Sequence, residues 1–302
     1  MKTLLTGANG FLGRYIYEHL KNNCVLEILG RGSIYNYNCD LAIEIPALGK
    51  DIDIVIHAAG RAHSVDKTSL EKQAFFDVNF KGTQNLLRGV VECQSLPKAF
   101  VFISTVAVYG RESGVNISEN APLLAKDPYG LSKIQAELLV IEWCKKNNVI
   151  CTILRLPLLA GANPPGNLGA MIEGIKKGYY VNIAGGRSQK SIVLASDVAK
   201  CILKVSEIGG IYNLTDGYHP TFKELSRTIC LQLDRKFVLN MPLFLAKSLA
   251  KIGDLVGDSF PINSIRLSKI IEPLTFDDSK ARRAFGWNPS GVLEGINICS
   301  IN

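Results

Sequence analysis

The stretch Lys2-Thr3-Leu4-Leu5-Thr6-Gly7-Ala8-Asn9-Gly10-Phe11-Leu12-Gly13 decides the fold. A short apolar run meets glycines at positions 7, 10 and 13, and residues 11–22 then carry an amphipathic pattern. That order predicts a strand, a tight turn and a helix. Glycines in such a turn let the backbone come close to a pyrophosphate and let helix pack on sheet, with the phosphate facing amides at the helix N-terminus. The plainer alternative is an ordinary strand-to-helix turn in which glycine only relieves strain. The spacing is G-x-x-G-x-x-G rather than G-x-G-x-x-G, so context has to decide, and the apolar run before it and the helical pattern after it favour phosphate binding.

Working outward, residues 25–29, 52–57, 99–104 and 150–154 are short aliphatic or β-branched runs. Helical patterns over 74–93 and 129–146 separate them. Strands that alternate with helices imply βαβ units and a parallel sheet whose strands are buried on both faces. The expected fold class is therefore α/β, a Rossmann-type doubly wound parallel sheet with a smaller, discontinuous C-terminal substrate-binding domain. Residues 1–160 make the dinucleotide-binding domain. Residues 187–215 return to it as a strand (192–194), a helix (197–205) and a strand (211–214). Residues 161–186 and 216–302 form the cap, where helices dominate and Thr221 with Glu224 makes a capping box.

Composition narrows the function. The chain has 302 residues, 47% hydrophobic and 20% charged, which is too apolar for disorder. No run reaches the roughly 18 uncharged apolar residues of a membrane span. The greasiest late stretch, 241–256, is broken by Lys247, Lys251 and Asp254 and reads as an amphipathic helix. The N-terminus carries no signal-peptide pattern. A soluble cytoplasmic protein with no membrane partner is expected. Lys plus Arg (34) exceeds Asp plus Glu (27), but the excess is dispersed and forms no basic stripe, so no nucleic-acid partner is expected. Eight cysteines and four histidines show neither C-x-x-C pairs nor ligand spacing, and no metal is expected.

Three further places carry chemistry. Tyr129 and Lys133 lie four apart at the start of a helical pattern after Asp127-Pro128, so they share one face. A phenol ordinarily loses its proton near pH ~10, and a neighbouring ammonium favours the phenolate, which makes Tyr129 a general acid or base. Adjacent hydroxyls, Ser104 and Thr105, end the strand at 99–104, and His57-Ala58-Ala59-Gly60 ends another. Open parallel sheets bind ligands at these carboxyl ends. At the end of the second strand, where NAD-preferring sites carry an acid, stand Arg31 and Ser33, which suit the 2′-phosphate of NADP. The alternative is that Arg31 stacks on adenine or lies in solvent.

Taken together, the Gly-rich opening, Asp40-Leu41, His57-Ala58-Ala59-Gly60, Asn79 in V-N-F-K-G-T, S-T-V-A-V-Y-G (104–110) and Tyr129-x-x-x-Lys133 resemble an extended short-chain dehydrogenase/reductase. More narrowly, the chain resembles the nucleotide-sugar epimerase/dehydratase group, near its bacterial 4-epimerases and 4-keto reductases. Arg155-Leu156-Pro157, Ala160-Gly161 and Asp278-Ser279-Lys280 extend the likeness over nearly the whole length. The resemblance implies Thr105, Tyr129 and Lys133 as catalytic residues. It implies NAD or NADP held by Gly7, Asn9, Gly10, Phe11, Leu12, Gly13, Arg31, Asp40, Leu41, His57, Ala58, Ala59, Gly60, Asn79, Ser104, Tyr129, Lys133 and Pro157. It places the sugar nucleotide against Thr105, Val106, Ala107, Tyr129, Asn167, Arg187 and Lys190. Lys190 stands where relatives usually carry a phosphate-binding Arg, and His63 is a candidate to face the sugar. Val106 and Ala107 stand where a 4,6-dehydratase carries Asp-Glu, so dehydration is rejected. A homodimer built from the helices at 74–93 and 129–146 is implied as well. The competing class is a non-catalytic dinucleotide sensor or RNA-binding relative of the same fold.

Overall fold

The structure, a computed structural model, describes residues 1–62, 68–93, 95–257 and 262–298. Its centre is a seven-stranded sheet of order β11-β7-β5-β4-β1-β2-β3, parallel throughout. The strands are β1 (Lys2–Thr6), β2 (Val25–Gly30), β3 (Tyr37–Asn38), β4 (Ile54–His57), β5 (Ala99–Thr105), β7 (Ile150–Leu156) and β11 (Gly210–Asn213). The chain runs from β1 to β2 and β3 on one side, then crosses back to place β4 on the other. That reversal between β1 and β4 opens a crevice at their carboxyl ends. The expected doubly wound architecture is the one observed.

Alternation along the strands splits the core into two layers. Leu5, Ile54, Ile56, Ala99 and Val101 face α1 (Phe11–Leu20) and α6 (Ala195–Ile208). Leu4, Val55, Phe100 and Phe102 face α3 (Gly82–Val91) and α4 (Pro128–Asn147). A third cluster joins α5 (Gly166–Lys177), α7 (Phe222–Gln232) and α11 (Val292–Gly295) beside the sheet. Three two-stranded parallel sheets stitch the outer parts together. They pair β8 (Leu158–Ala160) with β10 (Ile192–Leu194), β9 (Val181–Ile183) with β12 (Leu239–Met241), and β6 (Gly114–Ile117) with β13 (Leu274–Phe276). The remaining helices are α2 (Ser69–Phe75), α8 (Leu243–Val256), α9 (Ser264–Ile271) and α10 (Ser279–Phe285).

Several expectations are refined. The helix expected over 74–93 begins earlier, at a capping box of Thr68 and Glu71, and is interrupted by a π-helical turn at Phe76–Lys81 before α3. Such insertions mark functional sites, and this one carries the buried Asn79. The helix expected from Met241 starts only at Leu243, because Met241 closes β12 and Pro242 caps the helix. Within 187–215, α6 packs on α1 and β11 joins the main sheet, whereas β10 pairs with β8 outside it. Ala281, Phe285 and Trp287, expected in the cap, pack into the α1/α6 core layer, and the Trp287 indole donates to the Thr215 carbonyl at 2.9 Å. The two regions are thus interleaved rather than cut at residue 216.

Candidate active site

The turn after β1 is a cradle that side chains would fill. Gly7 has φ 75°, and a Cβ there would lie 2.5 Å from the Ala59 nitrogen; a Cβ on Gly13 would lie 1.9 Å from the Gly7 carbonyl oxygen. Gly10 is the N-cap of α1 and supplies no side-chain cap, so the first amides of the helix are left for a ligand at this cradle. The residues fit a dinucleotide pyrophosphate. Asn9 and Gly10 are exposed at the mouth, while Leu12 is buried in the core below. Phe11 meets Tyr15 edge-to-face at 5.6 Å, and the Tyr15 hydroxyl accepts the Ala162 amide at 2.8 Å, tying the cradle to the loop after β8.

On the outer side, Arg31 follows β2 with its side chain 79% exposed and a nitrogen 3.7 Å from an Asp40 carboxylate oxygen. An exposed pair at that distance holds weakly, leaving the guanidinium free to take a better acceptor. Leu41 is buried, and its carbonyl accepts from the Asn85 amide at 2.8 Å.

His57 and Asn79 are both buried in a hydrogen-bond network. Thr83 Oγ1 donates to the Asn79 carbonyl at 2.6 Å, so it accepts from His57 Nε2 at 3.0 Å. That leaves His57 Nδ1 to accept from Thr6 Oγ1 at 2.7 Å, and the same Thr6 oxygen accepts the Ala59 amide at 3.1 Å. Burial, aided by the charge on Lys133, holds His57 down to about 3, so the ring is neutral. Every polar atom of the Asn79 amide is engaged: Oδ1 accepts from the Arg61 amide at 2.8 Å, and Nδ2 donates to the Arg61 carbonyl at 3.1 Å and Ser132 Oγ at 2.9 Å. Together His57 and Asn79 lock the Ala58-Ala59-Gly60 backbone between the glycine turn and α4.

The catalytic candidates come together. Asp127 caps α4 by accepting the Gly130 amide at 2.9 Å, and Pro128 occupies the first turn, so Tyr129 projects from the helix start. Thr105 ends β5, and its hydroxyl lies close enough to the Tyr129 phenol to pull against the effect of burial on it. Phe75 backs the Tyr129 ring at 5.8 Å. One turn on, the buried Lys133 ammonium donates to the Ile103 carbonyl at 2.7 Å and sits 4.2 Å from the centre of the Phe102 ring. A Cβ on Gly60 would lie 3.2 Å from Asn79 Oδ1 and 3.7 Å from that ammonium nitrogen, so the strand end opposite lies close against both. Burial pushes the Tyr129 phenol up, with the Thr105 hydroxyl opposing it and the Asp127 carboxylate adding to it. Burial also brings Lys133 down to about 8, with Glu137 pulling the other way.

Beneath these groups lies a buried network that motif reading missed. Ser104 Oγ, expected to border the cofactor, donates to Glu137 at 2.5 Å. Arg155 grips the same carboxylate through Nε at 3.1 and 3.2 Å and Nη2 at 2.7 Å, and its Nη1 donates to the Tyr109 hydroxyl at 3.1 Å. The Tyr109 hydroxyl donates onward to Asn213 at 2.8 Å. Two sequence signals point here. Glu137 continues the Tyr129, Lys133 face by one more turn, and an Arg inside an apolar strand needs a carboxylate.

The substrate candidates are less gathered. Val106 and Ala107 form the half-buried turn after β5, and the Ala107 amide donates to Thr105 Oγ1 at 3.2 Å. Pro157 is half-buried between β7 and β8; Asn167 is exposed in the first turn of α5, and Arg187 is exposed after β9. Lys190 is not the free cation expected. It is buried, and its ammonium donates at 2.8 Å to both the Lys269 and Glu272 carbonyls, where it caps the C-terminus of α9. Arg187 is the cation left facing outward. His63 lies outside the described residues. Among the described residues, no three His, Cys, Asp or Glu side chains gather as metal ligands.

A phenol, a hydroxyl and an ammonium thus converge at the crevice where a glycine cradle offers phosphate-binding amides. A UDP-glucose 4-epimerase of Vibrio cholerae is 25% identical over 96% of this chain and 92% of its own length. An Escherichia coli N-acetyl-α-D-glucosaminyl-diphospho-ditrans,octacis-undecaprenol 4-epimerase is 26% identical over 97% of this chain and 92% of its own. The solved UDP-glucose 4-epimerase of Thermotoga maritima, with UDP-glucose, has the same fold, with a TM-score of 0.75, 21% identity, and coverage of 98% of this chain and 96% of that one. The model of the NAD dependent epimerase/dehydratase family matches residues 3–214. By that match the chain belongs to the NAD dependent epimerase/dehydratase family.

Proposed function

We propose that this protein transfers hydride at C4 of a nucleotide-linked hexose, as an NAD(P)-dependent 4-epimerase or 4-keto reductase of bacterial-type polysaccharide biosynthesis. The observation that carries the reading is the buried Lys133 ammonium, fixed on the Ile103 carbonyl one helical turn from Tyr129, with the Thr105 hydroxyl next to that phenol. The glycine turn, the Ala58–Gly60 backbone and Lys133 would hold a dinucleotide, which when bound supplies the hydride acceptor and donor. Tyr129 exchanges a proton with the sugar C4 oxygen. Its upward-shifted phenol keeps that proton at neutral pH until charge builds nearby. Thr105 steadies the oxygen as its charge changes. Lys133 donates from the floor, and Phe75 and the half-buried turn at Val106 and Ala107 keep the phenol oriented.

The name of one relative supports a UDP-linked sugar, that of another an N-acetylated sugar on a polyprenol diphosphate, and both support the epimerase arm. Arg31, with no acidic residue beside it in sequence, supports NADPH and the reductase arm. Val106 and Ala107 carry no proton to move, which speaks against dehydration. The retained Thr105, Tyr129 and Lys133 contacts speak against a non-catalytic sensor. A homodimer through α3 and α4 belongs to the same proposal, and a groove between them is lined by Leu87, Val91, Leu139 and Trp143. Mass measurement in dilute solution tests it, and monomer alone would refute it. Mass spectrometry of dinucleotide carried through purification separates the two arms. Retained NAD supports the epimerase, an empty site that fills with NADPH supports the reductase, and failure to bind either overturns the proposal.

A further inference from the structure

Helix α8 has two faces of opposite size. Ala246, Ala250 and Gly253 are buried and form the side that packs, with Ala246 and Ala250 meeting Leu267 of α9 and Ile183 and Met241. At 100° per residue, Phe244, Leu245, Ile252, Leu255 and Val256 fall in one arc on the opposite side. They are 68%, 47%, 47%, 89% and 58% exposed. Small residues inside and large apolar ones outside invert what a surface helix shows. Lys247 and Lys251, both exposed and one turn apart, border this arc on one edge. Asp254, the helix's acid, is engaged by Ser264, whose amide and hydroxyl donate to it at 2.9 and 2.5 Å. The stretch that leads into the helix repeats the pattern, with exposed Lys236 beside Phe237 (71%) and Leu239 (62%).

We propose that this face is a docking surface for an anionic phospholipid bilayer, with α8 lying in the headgroup plane. An apolar arc of Phe, Leu, Ile and Val edged by lysines fits an interface where acyl chains take the apolar groups and phosphates take the ammonium groups. Helix α8 has 14 residues, so it lies on a membrane and does not span one. No described helix is long and apolar enough to cross. The sequence reading drew from that absence that no membrane is involved; the outward face of α8 carries the opposite inference. The docking surface also connects to the site. Strand β12, just before α8, pairs with β9, and Asn240 Oδ1 accepts the Gly185 amide at 2.7 Å, two residues before Arg187. The proposal stands on α8 itself and holds whichever sugar is turned over.

The test is co-sedimentation of the full chain with vesicles of phosphatidylglycerol and phosphatidylethanolamine, compared with phosphatidylcholine alone. The account expects binding to the anionic vesicles that weakens at least about tenfold on raising salt to ~0.5 M or in the Lys247→Glu, Lys251→Glu variant. Binding is lost in the Ile252→Glu, Leu255→Glu variant. Both variants alter outward side chains, so their cooperative melting stays as in the parent. Three results overturn the proposal: no binding by the parent chain, equal binding by parent and Glu variants, or a parent self-association that Ile252→Glu, Leu255→Glu abolishes without any vesicle binding. The last would make the face a contact between copies.

Discussion

The region around α4 and the region around the loop after β9 are built on opposite principles. Around α4 each reacting group is held from behind. Phe75 backs Tyr129, the Ile103 carbonyl holds Lys133, Glu137 is gripped by Arg155, and His57 and Asn79 brace the facing backbone. On the other side Asn167 and Arg187 stand exposed, and the cation expected to help them, Lys190, is spent on capping α9. Chemistry needs fixed geometry within fractions of an ångström, and buried, fully paired groups supply it. Recognition of a flexible diphosphate tolerates exposed groups that settle when the ligand arrives.

This contrast is open to breaking by substitution, beginning with the strongest effect. Tyr129→Phe should lower turnover about 10²–10⁴-fold while dinucleotide binding persists, read by steady-state kinetics and a binding titration. Unchanged turnover would remove Tyr129 from the chemistry. Glu137→Ala strands a buried Arg155 and should cost about 3–5 kcal/mol of unfolding free energy in a urea titration. A loss below about 1 kcal/mol would show that the network is not what holds the α4 end rigid.

Lys133 gives a prediction of opposite sign. Its pKa of about 8 lies below the ordinary 10.5, so the buried ammonium is a penalty at neutral pH. The penalty is complete below pH 8 and is relieved as pH rises from 8 toward 10.5, where the folded chain has shed a proton that the unfolded chain still holds. Lys133→Met should therefore stabilise the protein at pH 7 by up to roughly 3 kcal/mol, an advantage that shrinks by pH 10, while activity falls. Equal stability of the two proteins at pH 7 would contradict it. The smallest effect belongs to the exposed side. Arg187→Ala should raise KM for the sugar nucleotide about tenfold with melting unchanged, whereas Lys190→Ala should lower the melting temperature, as expected when a charged group's hydrogen bonds are lost.

The same division decides what the sequence makes legible. Strands β1, β4, β5 and β7 are short runs dominated by aliphatic and β-branched residues, and the glycines at 7 and 13 announce a close approach that the structure shows, so the sheet and the cradle follow from local pattern. Tyr129 and Lys133 follow from helical arithmetic alone. Strands β6, β8, β9, β12 and β13 are three or four residues long, too short to show a period, and exist because a distant strand pairs with them. The π turn at Phe76–Lys81 is invisible for the same reason: its cause is the tertiary bonding of Asn79 to Arg61 and Ser132, not a local preference. Lys190 misled because its position in sequence says nothing of the α9 carbonyls that claim it. The inverted face of α8 was half legible, since the amphipathic pattern was visible but which side faces inward was not.

The central claim is that Tyr129, Thr105 and Lys133 meet at the reacting carbon of a bound sugar. A crystal structure of Tyr129→Phe with dinucleotide and a UDP-hexose tests it most directly. The account predicts the sugar's C4 oxygen within about 3.2 Å of Thr105 Oγ1 and beside the edge of the residue-129 ring, with the Lys133 ammonium on the nicotinamide ribose. A sugar bound with C4 farther than a side chain's reach from that ring, or a pyrophosphate seated away from the Gly7–Gly13 turn, would contradict it.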